Sequence, residues 1–478
     1  DGARVIVAGG SVAGLATALA LGRQGHSVVV LERDPLSEFA DAEEAFASER
    51  RGAPQAHQTH GFLARLTVVL RERFPDVLQA LHDAGAQPMS LTASLGSAQP
   101  GDEDLNTLIV RRTTFEWALR DAVRKERQVT YRSGVDVDGL AGTPASLPAG
   151  PAHRAGPARV TGVRLSDGSV LEGDVVACTG RRGAVPAWLA PLGVEIGETV
   201  LDSEIVYLTR WYRRPAELTV PIDPRLGGDF GYLKYLAVPC DGSTFSVTLA
   251  VRSGDTELRS LLLRPEAFDR ACRILPGPDR FFASEGVEPI GPVRPMGGLV
   301  NRLRHFTDKD RMALVTGFHA VGDAHTCTNP LYGRGCALAF VQATLLADAF
   351  AAHPDDAPAR AQAYESASAL HIEPWFHSAV MMDSFGERAG GGDGAGPPDA
   401  FMRRFGTLIA DVMLGRSDDP VITRGLLRMI NTLTRPDELM ADTEFTTRIA
   451  SYFTGPAPAE PDAPSLRVSR RALLAAAA

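Results

Sequence analysis

The residues of this 478-residue chain with the clearest chemical potential are Gly9-Gly10-Ser11-Val12-Ala13-Gly14, followed by Glu32. An apolar run at 4–8 precedes them and an Ala/Leu-rich run at 15–23 follows, which is strand–turn–helix order. In such a turn Gly9 permits the tight bend, position 11 must be small where backbone approaches a pyrophosphate, and Gly14 lets helix and strand pack closely. Ser11 replaces the usual second glycine but keeps the site small, and the N–H groups of Val12, Ala13 and Gly14 at the helix start favour an anion. Glu32, with Arg33 beside it, ends a β-branched run at 27–31, where its carboxylate can accept hydrogen bonds from an adenosine ribose. The same carboxylate would repel a 2′-phosphate. The unit therefore reads as a dinucleotide site.

A second segment, 317–340, carries complementary chemistry. Gly322-Asp323 follows the apolar run 312–316, then come Asn329-Pro330 and finally Gly333-Arg334-Gly335 at the head of an Ala/Leu helix over 335–350. The aspartate can bind a polyol hydroxyl. Glycine N–H groups at a helix start suit the electron-rich pyrimidine edge of a reduced flavin, which would lie beside Pro330.

The elements that must position these groups follow from pattern and composition. The length is about three times that of a typical domain, and 44% hydrophobic with 22% charged residues describes a globular chain. A formal charge of -9 offers nothing to a phosphate backbone, so nucleic acid is not an expected partner. Five scattered cysteines without a CxxC pair argue against a disulfide framework and for a reducing, cytoplasmic setting. No uninterrupted apolar run of membrane-spanning length appears, and no leader is expected from the strand-like opening. The first forty residues give βαβ order and hence a parallel sheet. A helix is expected over 62–74, ended by Pro75, and another over 114–125; strands are expected near 129–131 and 135–137, and a hairpin around Asp167-Gly168. From 191 the texture becomes β-rich and aromatic, with Tyr207, Trp211, Tyr212, Phe230, Tyr232, Tyr235 and Phe245. The arginines at 302–311 read as a solvated turn. Stretches 142–158, 387–399 and 457–465 read as loops, and residues beyond 356 as mostly helical.

With both segments in view, GGSVAG…Glu32 and VGDAHTCTNPLYGRG resemble the para-hydroxybenzoate-hydroxylase-like FAD superfamily over roughly residues 3–350. RRGAPQAHQTH, VRRTTFEWALR and VVACTGRRGAVPAWL are similar to the corresponding segments of bacterial monooxygenases and epoxidases of natural-product pathways. The resemblance implies an α/β fold: a Rossmann-like FAD-binding domain (1–190 and 291–355) interleaved with a β-sheet substrate domain (191–290), plus a helical C-terminal extension (356–478). It implies that Glu32 holds the adenosine ribose, that Arg112 lies near the pyrophosphate and ribityl chain, and that Asp323 binds the ribityl chain. Pro330 to Gly335 would line the isoalloxazine, and Arg33, Val137, Thr179, Gly180 and Gly322 would complete the cofactor contacts.

The activity so implied is monooxygenation: reduced FAD and O2 form a flavin C4a-hydroperoxide that hydroxylates or epoxidises a bulky, largely apolar aromatic or polyene small molecule. His57 and His60 are candidates for proton transfer or for fixing their loop. Tyr232 and Tyr235 are candidates for orienting substrate, or sheet-packing residues. Thr179-Gly180-Arg181-Arg182 departs from the Asp-Gly motif that serves reduction by NADPH or NADH, so a separate flavin reductase is an expected alternative donor. The WxWxIP signature of flavin halogenases is absent, and Lys234 reads as a solvated strand lysine. His319, His325 and Cys327 are explained by the flavin segment, without a metal. Two further readings share the cofactor residues: an FAD-dependent dehydrogenase or reductase acting on carbon–carbon bonds, and a non-catalytic flavin-bound assembly protein.

Overall fold

A computed structural model describes residues 2–36, 38–146, 156–222, 226–389, 400–413, 415–455 and 468–478. The N-terminal unit folds as the pattern dictates. Strands Arg4–Ala8 and Ser27–Glu32 pair in parallel, Val5 opposite Val28, with helix Val12–Gly22 as the crossover. The sheet extends in parallel to Val129–Ser133 on one side and to Asp174–Ala177 and Phe318–Ala320 on the other. Because both faces are covered, the central strands are nearly continuous apolar runs, whereas the edge strand Val129–Ser133 carries polar residues. Helices Val12–Gly22, Arg112–Lys125 and Gly335–Ala352 contribute to the core on one side, and the antiparallel strands Val137–Thr143 and Ala158–Leu165 to the core on the other. Gly335–Ala352 alone among the described helices is long and apolar enough to cross a membrane, and two-thirds of it is buried inside this fold.

A second sheet is antiparallel, in the order Gly227–Asp229, Leu233–Cys240, Thr244–Arg252, Ile205–Arg213, Glu288–Met296. Its last strand runs through residue 290, where the substrate domain was expected to end. Helices Thr256–Leu262, Pro265–Ile274 and Asp279–Phe282 pack on one face around Tyr212, Phe245 and Phe281. Helix Arg470–Ala477 joins this core through Leu473 and Ala477, with Arg470 paired to Asp255 at 2.9 Å. Helices Ala357–His371 and Glu373–Ala389 pack toward Gly335–Ala352 through Tyr364 and Trp375, while Ala400–Met413, Pro420–Ile430, Pro436–Ala441 and Thr443–Thr454 form a cluster around Leu408, Leu426 and Phe445 that also takes in Leu105.

Three local expectations change. Pro75 does not merely end the helix Ala64–Arg73: it opens the next, Pro75–Asp83, at a position where its missing N–H costs nothing. The run 312–316 is not the strand that leads to Gly322. Met312 is exposed, Val315–Thr316 pairs with Ala158, and at Gly317 (φ +68°) the chain switches sheets so that Phe318–Ala320 delivers the turn. Nor are Arg302 and Arg304 solvated: both lie on Val300–His305, and Arg304 donates to the Ala324 carbonyl at 2.8 Å. The low-complexity loop falls largely, and the loop 457–465 wholly, outside the described residues, as does 390–399 of the 387–399 stretch.

His319 is 1% exposed, edge-on to Phe350 (5.8 Å) and Tyr364 (5.5 Å), and neither ring nitrogen has a hydrogen-bond partner among the described residues. Burial, reinforced by Arg360, pushes its pKa down from 6.5 to about 3. The native imidazole is thus neutral, and its stabilising contribution is complete above pH 6.5 and lost as the pH falls toward 3. His319→Leu, close in volume, is expected to hold or raise Tm at pH 7 and to flatten the acid limb of the stability profile. A lower Tm at pH 7 with an unchanged acid limb would refute this.

Candidate active site

The crossover turn is built for an anion. A Cβ on Gly14 would lie 1.8 Å from the Gly9 carbonyl oxygen, and one on Gly9 (φ +112°) 2.3 Å from that of Cys178. Ser11 stands at the N-cap of Val12–Gly22 without capping it, and no acidic residue occupies the first turn, so among the described residues the helix-start N–H groups have no side-chain acceptor. The Ser11 hydroxyl turns instead to the Glu116 carboxylate (3.0 Å) and receives Arg112 Nη2 (3.1 Å).

Arg112 links the two segments that the sequence separates. Its Nη1 reaches Cys336 Sγ at 3.3 Å, on the helix Gly335–Ala352, while Nη2 holds Ser11. The Gly322 turn packs directly on Ala13 and is tied to Gln342 through its N–H at 2.8 Å. Asp323 is half-buried beside the helix start at Gly335. Desolvation pushes its carboxyl above the usual range against the pull of Arg181, Arg112 and Arg302. The next turn, Pro330–Tyr332, ends at Gly333 (φ +65°), which abuts the Gly61 carbonyl. Pro330 is exposed and Leu331 is 37% exposed, so this turn presents an apolar face.

Glu32 is 5% exposed and already engaged: Oε2 accepts from the Gly10 N–H and Arg50 Nη2, each at 3.0 Å, and Oε1 from the Asp34 N–H at 2.9 Å. A carboxylate accepts about four hydrogen bonds, so capacity for one ribose hydroxyl remains. Three buried guanidiniums surround Glu116: Arg50, Arg112 at 3.6 Å and Arg120 at 2.9 Å. Arg50 and Arg120 are functional candidates missing from the sequence reading. The spacing of Arg112, Glu116 and Arg120 along one helix face could have revealed the second of them. A small, solvent-open pocket lies here, lined by Arg50, Glu116, Trp117 and Arg120. Such a cradle fits an anionic dinucleotide: no room for side chains at the turn, uncapped N–H groups, and Arg112 Nε and Thr179 Oγ1 buried without protein partners among the described residues.

The other expected residues take distinct places. His60 accepts from Arg112 Nη1 at 3.2 Å, which leaves Nδ1–H to donate to the Gln58 carbonyl at 2.9 Å; burial and Arg112 push its pKa down to about 3. It orients Arg112 as a neutral acceptor. His57 donates from Nε2 to the Ser48 carbonyl at 3.0 Å, and its own carbonyl receives Trp211 Nε1 at 2.7 Å. Both histidines thereby fix the loop. Tyr232 donates to the Val468 carbonyl at 2.8 Å, and Tyr235 is buried against Phe230 in the core under the helices, so neither is brought to the cradle. Tyr207, Thr209 and Trp211 instead meet Asn329 and the 57–60 loop, with Thr209 donating to Gln58 Oε1 at 2.6 Å. The Arg334 guanidinium lies over the Tyr332 ring, 5.2 Å from its centroid, and donates to the Trp375 carbonyl at 3.0 Å, so it braces the turn. Arg33 is exposed, and it is Val135, not Val137, whose N–H meets the Glu32 carbonyl, at 3.0 Å. Thr179 and Gly180 follow the strand Asp174–Ala177, beside the Gly9 turn. Lys234 pairs with Asp229 on the second sheet. His325 stacks on Phe306, and Cys327 lies beside Asp323.

No protein-family model matches the chain, and no curated protein matches it in sequence. Among solved structures it resembles the flavin-dependent brominase Bmp2 over 95% of this chain and 99% of that one, with TM-score 0.60 and 15% identity. It resembles PqsL, a probable FAD-dependent monooxygenase from Pseudomonas aeruginosa, over 82% and 96%, with TM-score 0.53 and 16% identity. The anhydrotetracycline hydroxylase OxyS from Streptomyces rimosus is matched over 91% and 77%, with TM-score 0.56 and 17% identity. At these identities the likeness is one of architecture: the chain has the fold of the para-hydroxybenzoate-hydroxylase-like FAD-dependent enzymes, in which a Rossmann-like layer is interleaved with a second sheet.

Proposed function

We propose that the chain is an FAD-dependent monooxygenase that places one oxygen atom of O2 on a bulky, largely apolar aromatic or polyene small molecule, by hydroxylation or epoxidation. The observation that carries the reading is Arg112, which holds the Gly9–Gly14 turn with one nitrogen and the Gly335 helix with the other, as a cofactor spanning both segments requires. Structures of this fold whose names give a monooxygenase and a hydroxylase support the same reading. FAD, when bound, would take two electrons from NADPH or NADH, directly or through a separate reductase, and with O2 deliver one oxygen to substrate and the other to water.

The chain's own part is to bind, orient and exclude water. The uncapped helix start and Arg112 would hold the pyrophosphate, Glu32 the adenosine ribose and Asp323 a ribityl hydroxyl. Thr59, Ser246 and Thr248 form a hydrogen-bonded ladder, at 2.7 and 2.8 Å, that closes the substrate sheet onto the His57–His60 loop and keeps water out at that seam. His60, neutral and already occupied at both nitrogens, is assigned to orientation and not to proton transfer.

The test is rapid mixing of chemically reduced, FAD-loaded protein with oxygenated buffer, with and without candidate aromatic or polyene substrates, recording the near-ultraviolet flavin spectrum. A transient species between the reduced and oxidised spectra, decaying with formation of an oxygenated product, is the expected result. Direct return to oxidised flavin with no oxygenated product would transfer the assignment to a dehydrogenase or reductase.

A further inference from the structure

We propose that Asp383, on the C-terminal helix Glu373–Ala389, is a positioning residue for the turn Asn329–Gly333, so that the C-terminal region completes the active site. The inference rests on the FAD-dependent reading, in which the flavin ring lies against this turn. One oxygen of Asp383 accepts from the Tyr332 hydroxyl at 2.5 Å and from Asn329 Nδ2 at 2.9 Å; the other accepts from Asn301 Nδ2 at 2.6 Å. All three donors are neutral and among the described residues no cation lies within ion-pair distance of Asp383, so its hydrogen bonds set the geometry of the turn while its charge acts on the buried Arg334 guanidinium only from farther off. Burial, with the adjacent carboxylate, pushes the Tyr332 phenol far above its ordinary range, which keeps it a donor.

The network reaches every element around the turn. Asn329 donates its N–H to Asn301 Oδ1 at 2.7 Å and accepts the Tyr207 hydroxyl at 3.1 Å, which ties the turn to the second sheet. On the other side of the turn, the Arg334 guanidinium enters the same helix, bonding the Trp375 carbonyl at 3.0 Å and Ser378 Oγ at 3.2 Å. One helix therefore grips both ends of the segment Asn329–Arg334, whose outer face, Pro330 and Leu331, is left bare. A turn held from behind and apolar in front is pre-organised to meet a flat ring without paying for its own ordering. A small, solvent-open pocket adjoins the network, lined in part by Asp383, Asn301 and Val380.

Asp383→Asn keeps the shape but replaces one acceptor with a donor facing other donors, so at least one hydrogen bond must be lost. With FAD affinity measured by fluorescence titration, the variant is expected to stay within about threefold of wild type, because the pyrophosphate and ribose anchors are untouched. Amide hydrogen exchange at Leu331, Tyr332 and Gly333 is expected to rise about tenfold or more, with exchange in Gly335–Ala352 unchanged. The visible band of the bound oxidised flavin should change shape, a readout that loss of a remote structural contact would not move. Tyr332→Phe, which removes one donor and leaves the carboxylate in place, should shift exchange and spectrum in the same direction, and it carries the test if Asp383→Asn does not fold. Unchanged exchange and an unchanged spectrum in variants that bind FAD overturn the positioning role alone. A wild-type protein that takes up no FAD overturns the functional reading and this role with it.

Discussion

Asp241→Ala is expected to lower the stability of the whole protein by about 3–5 kcal/mol. Asp241 lies in the turn between Leu233–Cys240 and Thr244–Arg252 of the second sheet, yet its carboxylate serves the first domain. Oδ1 accepts the Arg111 N–H at 2.7 Å, and Oδ2 accepts Arg111 Nε at 2.9 Å and the Thr114 hydroxyl at 2.6 Å. Arg111 is the N-cap of Arg112–Lys125 and is 1% exposed, so the carboxylate also complements the positive end of that helix. Truncation would strand a buried guanidinium whose other anionic partner, Glu43, is half-exposed. The loss exceeds what a surface ion pair could give, because the uncompensated charge sits in low dielectric. Urea denaturation checks the value, and Asp241→Asn, which keeps the shape and removes the charge, should fall between the two. A loss below about 1 kcal/mol for the alanine variant would show that Arg111 finds another partner on relaxation. Because Arg112 follows directly, the variant should also lose cofactor affinity, which couples the second sheet to the cradle.

The parts of the site that were legible in the sequence are those where backbone geometry demands a particular residue. Gly9 and Gly14 sit where a side chain has no room, and Gly333 takes a left-handed conformation beside Gly61; each left a mark at a fixed offset from a strand or helix. The βαβ order was equally readable, since two short β-branched runs, 4–8 and 27–32, flank a glycine-rich turn and an Ala/Leu-rich run of helical length. Residues that act by meeting a distant partner left no such mark. Arg50 reaches Glu32, Asp241 reaches Arg111, and Asp383 reaches Tyr332 across contacts that no local period encodes. The aromatic sheet failed for a different reason. A strand's two faces look alike until its register is known: Tyr235 shares a face with Leu233 and Ala237, which meet the helices, whereas Tyr207 and Trp211 bond toward the Gln58 and Asn329 side. The arginines at 302 and 304 were misread because charge in sequence does not reveal that four carbonyls, those of Arg181, Gly183, Asp323 and Ala324, wait for them.

Arg112→Ala should weaken FAD binding by about a hundredfold or more, the equivalent of losing charge-assisted hydrogen bonds worth roughly 3–5 kcal/mol. The guanidinium is 6% exposed and serves three anchors at once: Ser11 at the helix start, Cys336 on the second helix and His60 on the loop. It is also one of three cations offsetting Glu116, whose carboxylate lies 3.0 Å from the Ser11 hydroxyl. Without Arg112, an incoming pyrophosphate would meet that carboxylate with one fewer cation between them, so affinity loses an attraction and gains a repulsion. Two companions separate these effects. Arg112→Lys keeps the charge but not the fork, and should recover only part of the affinity. Arg112→Ala combined with Glu116→Gln removes the repulsion and should bind FAD more tightly than Arg112→Ala alone, a non-additivity that a purely structural role for Arg112 does not produce. Fluorescence titration of FAD reads all three, with circular dichroism to confirm folding. A folded Arg112→Ala variant binding FAD within about threefold of wild type would remove Arg112 from the cofactor site and, with it, the observation on which the functional assignment stands.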